Sequence, residues 1–495
     1  MTARALMLQG TGSDVGKSVL TAALVRIARR RGIAVAPFKP QNMSNNAAAC
    51  PDGGEIGRAQ ALQAQAAGLV PRVDFNPVLL KPQSDRTSQV VVHGRAVSTR
   101  AAADYMRGRG ALLEPVLESF RRLTDEFELI VVEGAGSPAE INLRRGDIAN
   151  MGFARRAGVP VCVVADIERG GVIASLVGTQ AVLDPDDAAM ITGFIVNKFR
   201  GDPRLFDAGV EAIAARTGWR AFGVVPWLPA AARLPAEDAV GIAPTNRTQG
   251  DSLHIAAPML SRMANFDDAD PLRQQRGVDF TWIPPGQPVP RDCDVVLLFG
   301  TKSTLGELAW LREQGWDHDI LAHARSGGRV LGICGGFQLL GRRVHDPTGI
   351  DGPGGSADGL GLLDVETTMY PEKTVRAVTG VCVENGTPVS GYEIHAGETR
   401  GPDCERAVFE IGGRRDGAVS VNGRITGTYL HGMFANDAFR EAWLRRAGAT
   451  SLQTYGYGAS VEGALEALAD HVESAVDVDA LLAAARPPTL AHMST

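Results

Sequence analysis

The chain has 495 residues, of which 44% are hydrophobic and 21% are charged. This composition is typical of soluble globular domains, and no apolar run approaches the ~20 residues that a membrane helix needs. The formal net charge is −6, whereas proteins that bind duplex nucleic acid usually have a basic excess. We therefore expect roughly three domains, or two with a tail, and no nucleic-acid or membrane partner.

Cysteine usage indicates the redox compartment, and lysine usage indicates which segments are functional. The six cysteines are scattered and form no CxxC pair, which argues against a disulfide framework or a zinc ribbon and favours a reducing cytoplasm. Only 6 lysines accompany 44 arginines. Because an ammonium and a guanidinium are not equivalent, lysine is expected where a thin, compact cation is needed. Five lysines lie in segments interpreted below as functional, and Lys373 is interpreted as a chance placement.

Short apolar runs and a helical pattern alternate in the N-terminal half. A helix is predicted over 17–31, where Gly32 ends it, and strands are predicted at 5–8, 33–38, 129–132, 159–165, 191–196 and 221–225. Because buried strands separated by helices build parallel sheets, this half is predicted to be an α/β domain with a doubly wound parallel sheet.

A second series of strands and helices follows a segment rich in Pro, Ala, Asp, Thr and Asn. Its strands are predicted at 253–257, 295–299, 330–333 and 425–430, with a surface loop at 347–361. The predicted boundaries are a first domain over 1–235, a linker over 236–250, a second doubly wound α/β domain over 251–447 and a C-terminal helical tail over 448–495.

The first candidate site is a glycine-rich loop, GTGSDVGKS, between the first strand and the first helix. Small residues let backbone N–H groups converge on phosphate oxygens, a Lys binds the β- and γ-phosphates, and a hydroxyl ligates Mg²⁺. The form GT-x-x-x-VGK[ST] resembles the dethiobiotin synthetase branch of P-loop enzymes, which implies ATP binding. The loop residues predicted to bind ATP are Thr11, Gly12, Gly16, Lys17 and Ser18.

Acidic and amide side chains follow other strands of the same predicted sheet. Glu133 ends a strand in LIVVEGAGS, where its carboxylate can hold Mg²⁺ together with Ser18. The dethiobiotin synthetase family has a similar VEGAG segment. Asn197 follows strand 191–196 and resembles an adenine-side residue of that family, so we expect it to contact ATP.

The segment FKPQNMSNN ends the second predicted strand. Its amide and ammonium donors suit an anionic substrate and its acyl-phosphate. Lys39, Gln41 and Asn42 are therefore predicted to bind substrate.

The second candidate site is a nucleophile elbow in VLGICGGFQLLG. A buried strand followed by a glycine-flanked Cys334 and a helix is the geometry in which a nucleophile is exposed and its thiolate favoured. His431, in GTYLHGMF, is predicted to be the base, and His395 is the competing candidate for that role. The N–H groups of Gly300, Thr301 and Gly335 are predicted to form an oxyanion hole.

These residues resemble the class I glutamine amidotransferase family, which implies a flavodoxin-like sheet and a Cys–His glutaminase over about 251–445. Most relatives have His-x-Glu, in which the Glu orients the imidazole, but Met433 stands at that position here. The orienting acid is absent, supplied from elsewhere or unnecessary, and these three alternatives stay open at the level of sequence.

Further motifs resemble the cobyric acid synthase family over nearly the whole chain. They are FKPQNMSNN, GEIGRAQALQA, NPVLLKPQSDRTSQVVVHG and ADIERGG. The resemblance implies ATP- and glutamine-dependent amidation of the b, d, e and g carboxylates of adenosylcobyrinic acid a,c-diamide in cobalamin biosynthesis. Residues expected to hold this corrinoid polycarboxylate are Lys81, Arg86, Ser88 and Gln89, and Glu55 and Asp166 are weaker candidates for substrate or metal.

Two alternatives remain in view at this stage. One is a cobyrinic acid a,c-diamide synthase or another ATP-dependent glutamine amidotransferase. The other is a ParA-like ATPase switch with an inert amidotransferase domain, which would hydrolyse ATP but not glutamine. The order of the amidations, the ammonia path, the preference for an adenosylated corrinoid and the oligomeric state are not predicted.

Overall fold

A computed structural model of the chain describes residues 3–237, 252–352 and 354–489. Most of the predicted linker therefore lies outside the described residues. The N-terminal sheet is parallel throughout, which confirms the predicted fold class. Its strands lie in the order Arg220–Pro226, Ile191–Phe199, Val161–Asp166, Arg4–Gly10, Leu129–Glu133 and Val35–Phe38.

Both faces of this sheet are covered by apolar packing. Along the first strand, Ala5 and Met7 pack into one core cluster, whereas Leu6 and Leu8 pack into the other. This alternation follows from the two-residue period of a strand. The longer helices of the domain are Lys17–Arg30, Arg58–Ala67, Leu113–Glu126, Val172–Val182 and Asp207–Thr217.

The C-terminal tail returns to the first domain. Its helices are Tyr457–Ala475 and Val478–Ala483. Leu465 and Leu468 of the first of these helices pack in the same core cluster as the helix that follows the glycine-rich loop, and Arg26 pairs with Glu462 and Glu466 at 2.8 and 2.9 Å. The helices were predicted, but helical periodicity does not say which sheet an apolar face covers.

The second domain contains a mostly parallel sheet in which only the edge strand Ala418–Val419 is antiparallel among the described strands. The strand order is Val278–Ile283, Leu253–Pro258, Val295–Leu298, Arg329–Ile333, Ile425–Thr428 and Ala418–Val419. Its principal helices are Thr304–Gln314, Trp316–Arg325, Gly335–Leu340 and Asp437–Ala447.

A second, largely antiparallel sheet accompanies it and was not predicted. Its main feature is a long hairpin of Glu366–Cys382 and Pro388–Arg400. The loop predicted over 347–361 is partly strand, because Gly355–Asp358 pairs with Arg343–Asp346. Much of the hairpin strand Glu366–Cys382 is exposed or half-buried, so it lacks the continuous apolar run that identified the other strands.

The two domains meet along a small apolar cluster. From the first domain come Ala47, Ala49 and two residues of the hairpin Val78–Pro82 and Thr87–Val92, and from the second come Tyr392 and Ile394. Within the described ranges, none of the helices combines the length and apolarity required to cross a membrane.

Candidate active sites

The glycine-rich loop closes around the ammonium group of Lys17. Its Nζ donates hydrogen bonds to the carbonyl oxygens of Gly12 at 2.8 Å and Gly136 at 3.2 Å, and burial lowers its pKa to about 8. Gly16 has φ 96°, and a Cβ there would lie 2.2 Å from the side-chain nitrogen of Asn197. Glycine is therefore required at this position both for conformation and for space.

Asn197 and Lys198 brace this loop from the neighbouring strand. Asn197 Nδ2 donates to the carbonyl of Val15 at 2.8 Å, and Lys198 Nζ donates to the carbonyl of Asp14 at 2.6 Å while pairing with Asp166 at 3.1 Å. The contact of Asn197 with ATP stays a prediction, because its described partner is the loop itself.

Ser18 and Glu133 converge beside the loop. Ser18 Oγ lies 2.7 Å from Glu133 Oε1, and Gln63 Nε2 donates to Glu133 Oε2 at 2.6 Å. Mg²⁺ prefers oxygen ligands and is usually held by one or two carboxylates plus substrate phosphates and water. The oxygen ligands of Ser18 and Glu133 fit that ion. Among the described residues there is no cluster of three or more His, Cys, Asp or Glu arranged for a metal.

Lys39 and Asn42 lie at the same place, together with a carboxylate that the sequence did not predict. Lys39 Nζ donates to Glu133 at 2.8 Å and to Glu237 at 3.2 Å. Asn42 Nδ2 donates to Glu237 Oε1 at 2.7 Å, and Ser18 Oγ lies 2.9 Å from Glu237 Oε2. Burial alone would lower the pKa of Lys39, but the two carboxylates raise it above its ordinary value, so Lys39 stays charged.

The other predicted substrate residues separate into different environments. Gln41 Oε1 accepts from the hydroxyl of Tyr105 at 2.6 Å. Arg86 is exposed on the turn after Val78–Pro82, and Ser88 pairs with Arg100 in the strand register. Of these predicted residues, Lys81 and Gln89 have described contacts at the domain boundary.

At that boundary the buried carboxylate of Glu55 forms ion pairs with lysines from both domains. Glu55 accepts from Lys81 at 2.8 Å and from Lys373 of the second domain, and Lys302 Nζ donates to Gln89 Oε1 at 3.4 Å. Burial lowers the pKa of Lys81 to about 7, whereas the two lysines hold the pKa of Glu55 well below its usual range despite its burial. The interpretation of Lys373 as a chance placement was therefore wrong: it forms an interdomain ion pair.

The second site is built on a strained turn. Cys334 has φ 54° and ψ −111°, a conformation that a non-glycine residue rarely adopts. A Cβ on Gly336 would lie 2.0 Å from the carbonyl oxygen of Leu298, which explains glycine at this position. The amide of Cys334 donates to the carbonyl of Thr428 at 2.8 Å, so the neighbouring strand fixes the turn.

Two of the predicted oxyanion residues are glycines packed closely against the elbow or its neighbours. A Cβ on Gly300 would lie 3.6 Å from Cys334 Cβ and 3.3 Å from His431 Cε1. A Cβ on Gly335 would lie 2.7 Å from the amide nitrogen of Thr301. Gly300 is therefore adjacent to both Cys334 and His431, and Gly335 lies against Thr301. Donation by the N–H groups of these three residues stays a prediction.

The acid that orients His431 is supplied from elsewhere in the chain. His431 Nδ1 lies 2.7 Å from Asp268 Oδ2, and the other oxygen of Asp268 accepts from the amide of Gly432 at 2.6 Å. Asp268 lies in NFDDADP, in the short helix Phe266–Ala269 that follows the two-residue strand Met263–Ala264. The acidic run was visible in the sequence, but nothing in its spacing connects it to a histidine 163 residues later.

The pKa values of the two candidate bases are shifted in opposite directions. Burial would lower the pKa of His431, but Asp268 and then Cys334 raise it to about 10. His395 stacks on Tyr429 at 3.8 Å between ring centroids, and burial lowers its pKa to about 4. These opposite shifts favour His431 over His395 as the imidazole that carries a proton beside Cys334.

Comparison with protein families agrees with this division into two sites. The family model described as a CobQ/CobB/MinD/ParA nucleotide binding domain matches residues 6–241. The model described as a CobB/CobQ-like glutamine amidotransferase domain matches residues 254–439. The glycine-rich loop lies in the first match and the nucleophile elbow in the second.

Curated relatives match over nearly the full length. A cobyric acid synthase of Hyphomonas neptunium is 65% identical, with 99% of each chain covered. Those of Cereibacter sphaeroides and Paracoccus denitrificans are each 62% identical, with 97% of this chain and 100% of the relative covered.

Proposed function

From the premise that this chain belongs to the cobyric acid synthase family, we propose that it forms side-chain amides on a corrinoid polycarboxylate with ATP and glutamine. The acceptor is adenosylcobyrinic acid a,c-diamide, and the groups amidated are its b, d, e and g carboxylates. The observation that supports this most is the presence on one chain of an ATP-type loop with Ser18 and Glu133 and of a Cys334–His431–Asp268 arrangement.

The amidotransferase half generates ammonia. Cys334 Sγ attacks the side-chain amide carbon of glutamine, and the oxyanion that develops faces the backbone N–H groups of Gly300, Thr301 and Gly335. His431, held by Asp268, gives its proton to the departing nitrogen, so that ammonia leaves and a thioester remains. Water then cleaves the thioester to glutamate and restores the thiol.

The synthetase half activates the acceptor. A corrinoid carboxylate attacks the γ-phosphorus of ATP, which gives ADP and an acyl-phosphate; ammonia then attacks the acyl carbon and phosphate leaves. Lys17 and Lys39 stabilise the charge on the transferring phosphoryl group and on the acceptor carboxylate. Mg²⁺, which Ser18 and Glu133 would hold, neutralises charge on the phosphates when bound. The free thiols fit the cytoplasmic location that cysteine usage favours.

Mass spectrometry of the corrinoid product tests the proposal. With glutamine, ATP and Mg²⁺, the acceptor should gain four amide groups. A chain that instead adds two amides, at positions a and c of unamidated cobyrinic acid, would be the a,c-diamide synthase. A chain that consumes ATP without releasing glutamate would be the ATPase switch.

A further inference from the structure

A cavity of about 230 Å³ opens between the sheet of the amidotransferase domain and the helix Asp437–Ala447. It is called the rear cavity below. Its walls include Leu331, Thr426 and Thr428 of the sheet and Phe439, Ala442 and Trp443 of the helix. Protein interiors contain few voids larger than a water molecule, and an engineered apolar cavity of about 150 Å³ already binds benzene. The rear cavity therefore has room for an organic molecule.

The rear cavity and the nucleophile elbow lie on opposite faces of the same sheet. A Cβ on Gly332 or Gly427 would lie 2.4 or 1.9 Å from atoms of the elbow helix Gly335–Leu340, so these two positions face that helix. Because side chains alternate along a strand, their neighbours in the two strands face the other way and line the rear cavity. Neither Cys334 nor His431 belongs to its described lining. The cavity is therefore separate from the glutaminase site.

The helix side of the rear cavity is aromatic. Trp443 is half-buried, and its ring meets that of Phe434 nearly edge-on, with centroids 4.9 Å apart. Phe439 is buried beside the same Phe434, with centroids 6.0 Å apart. Aromatic rings gain from offset or edge contacts with a further ring. These walls therefore favour a flat apolar ligand.

Three arginines lie at one end of the rear cavity. Arg446 lines it, and Arg329 and Arg424 line a smaller cavity of about 20 Å³ that shares Arg446 and Trp443 with it. Arg446 forms an ion pair with Glu384 at the exposed rim. Three guanidinium groups thus face one carboxylate, which leaves an excess of positive charge beside an apolar space.

Arg329 is the member of this cluster that is free to bind an anion. Its side chain forms no hydrogen bond or ion pair within the described part of the chain. Burial lowers its pKa, and the neighbouring charges of Arg446 and Arg424 lower it further. A guanidinium group is well suited to bind a carboxylate, sulfonate or phosphate through paired N–H donors.

We propose that the rear cavity is a ligand site, distinct from both catalytic sites, that binds an organic anion. The ligand has a flat apolar body of about the size of a naphthalene ring and carries one carboxylate, sulfonate or phosphate. The body packs between Thr428 and Trp443, and the anionic group binds Arg329 and Arg446 in place of Glu384. This goes beyond the proposed function, because no step of the amidation uses the cavity.

Isothermal titration calorimetry of the full-length chain with β-naphthoate tests the proposal. Binding should be saturable, with one molecule per chain, and the uncharged β-naphthylmethanol should bind roughly tenfold more weakly, because it lacks the charge-assisted hydrogen bonds. Arg329→Gln should weaken binding of β-naphthoate by roughly tenfold and leave the affinity for the alcohol unchanged. Ala442→Trp fills the cavity and should abolish binding of both compounds. Saturating glutamine should leave the affinity for β-naphthoate unchanged.

Arg325→Gln is the matched control, because it removes the same charge from the exposed end of the helix Trp316–Arg325, outside the described lining of both cavities. It should keep wild-type affinity. Absence of saturable binding, equal affinity for the two compounds, equal loss in the two arginine variants, or displacement by glutamine would overturn the proposal. Persistent binding by folded Ala442→Trp would also overturn it, and if that variant does not fold, the two arginine variants decide.

Discussion

Nδ1 of His431 lies 2.7 Å from the carboxylate of Asp268, a residue 163 positions earlier in the chain. Both side chains are buried, with 2% of each exposed. The imidazole proposed to be catalytic is therefore oriented by an acid from the short helix Phe266–Ala269, although the position two residues after His431 is occupied by Met433. The acid's other oxygen is bound by the Gly432 amide, so the carboxylate is fixed at both ends.

Loss of this acid should impair glutamine use selectively. Asp268→Asn keeps the shape but removes the charge that holds the imidazolium, and we expect glutamine-dependent amidation to fall on the order of 10²–10⁴-fold. Ammonia-dependent amidation should be unchanged. Asp270→Asn is the matched control: Asp270 is buried nearby and pairs with Arg273 at 3.2 Å. Comparable losses in both variants would contradict the assigned role.

The same pair predicts a pH-dependent stability. The pKa of His431 is raised from 6.5 to about 10, so the native state binds this proton more tightly than the unfolded state. The stabilisation is full below about pH 6.5 and is lost as the pH rises through about 10. The difference in Tm between wild type and Asp268→Asn should therefore be larger at pH 6.5 than at pH 10. A difference that grows with pH would be inconsistent with a charged His431.

The sequence predicted those parts of the sites that lie within one contiguous segment. The glycine-rich loop and the elbow around Cys334 were recognisable because a strand, a tight turn and a helix follow one another directly. The bounds of most strands in the two parallel sheets were close to prediction for the same reason, since buried strands are continuous apolar runs. The edge strand Val278–Ile283 of the second sheet was not predicted.

Site residues that lie far in the sequence from the recognisable motifs were not predictable. Asp268 reaches His431 only when the second domain folds, and Glu237 reaches Lys39 only through the folding of the first domain. An acid in a loop gives no local sign of its partner. Lys373 lies in a half-buried strand of the long hairpin, so neither its strand nor its partner Glu55 was visible. The tail helices were foreseen, but their packing against the first sheet depends on tertiary contacts.

Removal of the Glu55 carboxylate from the interdomain cluster should strongly destabilise the protein. Glu55→Gln leaves Lys81 and Lys373 without their counter-charge, and breaking a buried pair in this way costs about 3–5 kcal/mol. Chemical denaturation measures the loss. Asp85→Asn, which removes an exposed pair across the same boundary, should change stability far less. Similar losses of stability in the two variants would show that the cost of removing Glu55 does not depend on its burial.

The tail should behave as part of the synthetase domain. Leu465 is fully buried against the first domain, and Leu465→Ala should cost about 2–5 kcal/mol and weaken binding of ATP before glutaminase activity declines. Leu444→Ala, equally buried in the second domain, should give the reverse order of losses. Thermal inactivation of the two partial activities distinguishes the outcomes, and identical patterns would contradict this assignment.

The division of labour between the two halves is tested most directly by changing the nitrogen source. Cys334→Ser should abolish amide formation from glutamine and retain it from free ammonia, since ammonia bypasses the thioester. Lys17→Ala should abolish amidation from both sources while some glutamate is still released from glutamine. Loss of both activities in correctly folded Cys334→Ser, or glutamine-dependent amidation that survives the substitution, would contradict the account.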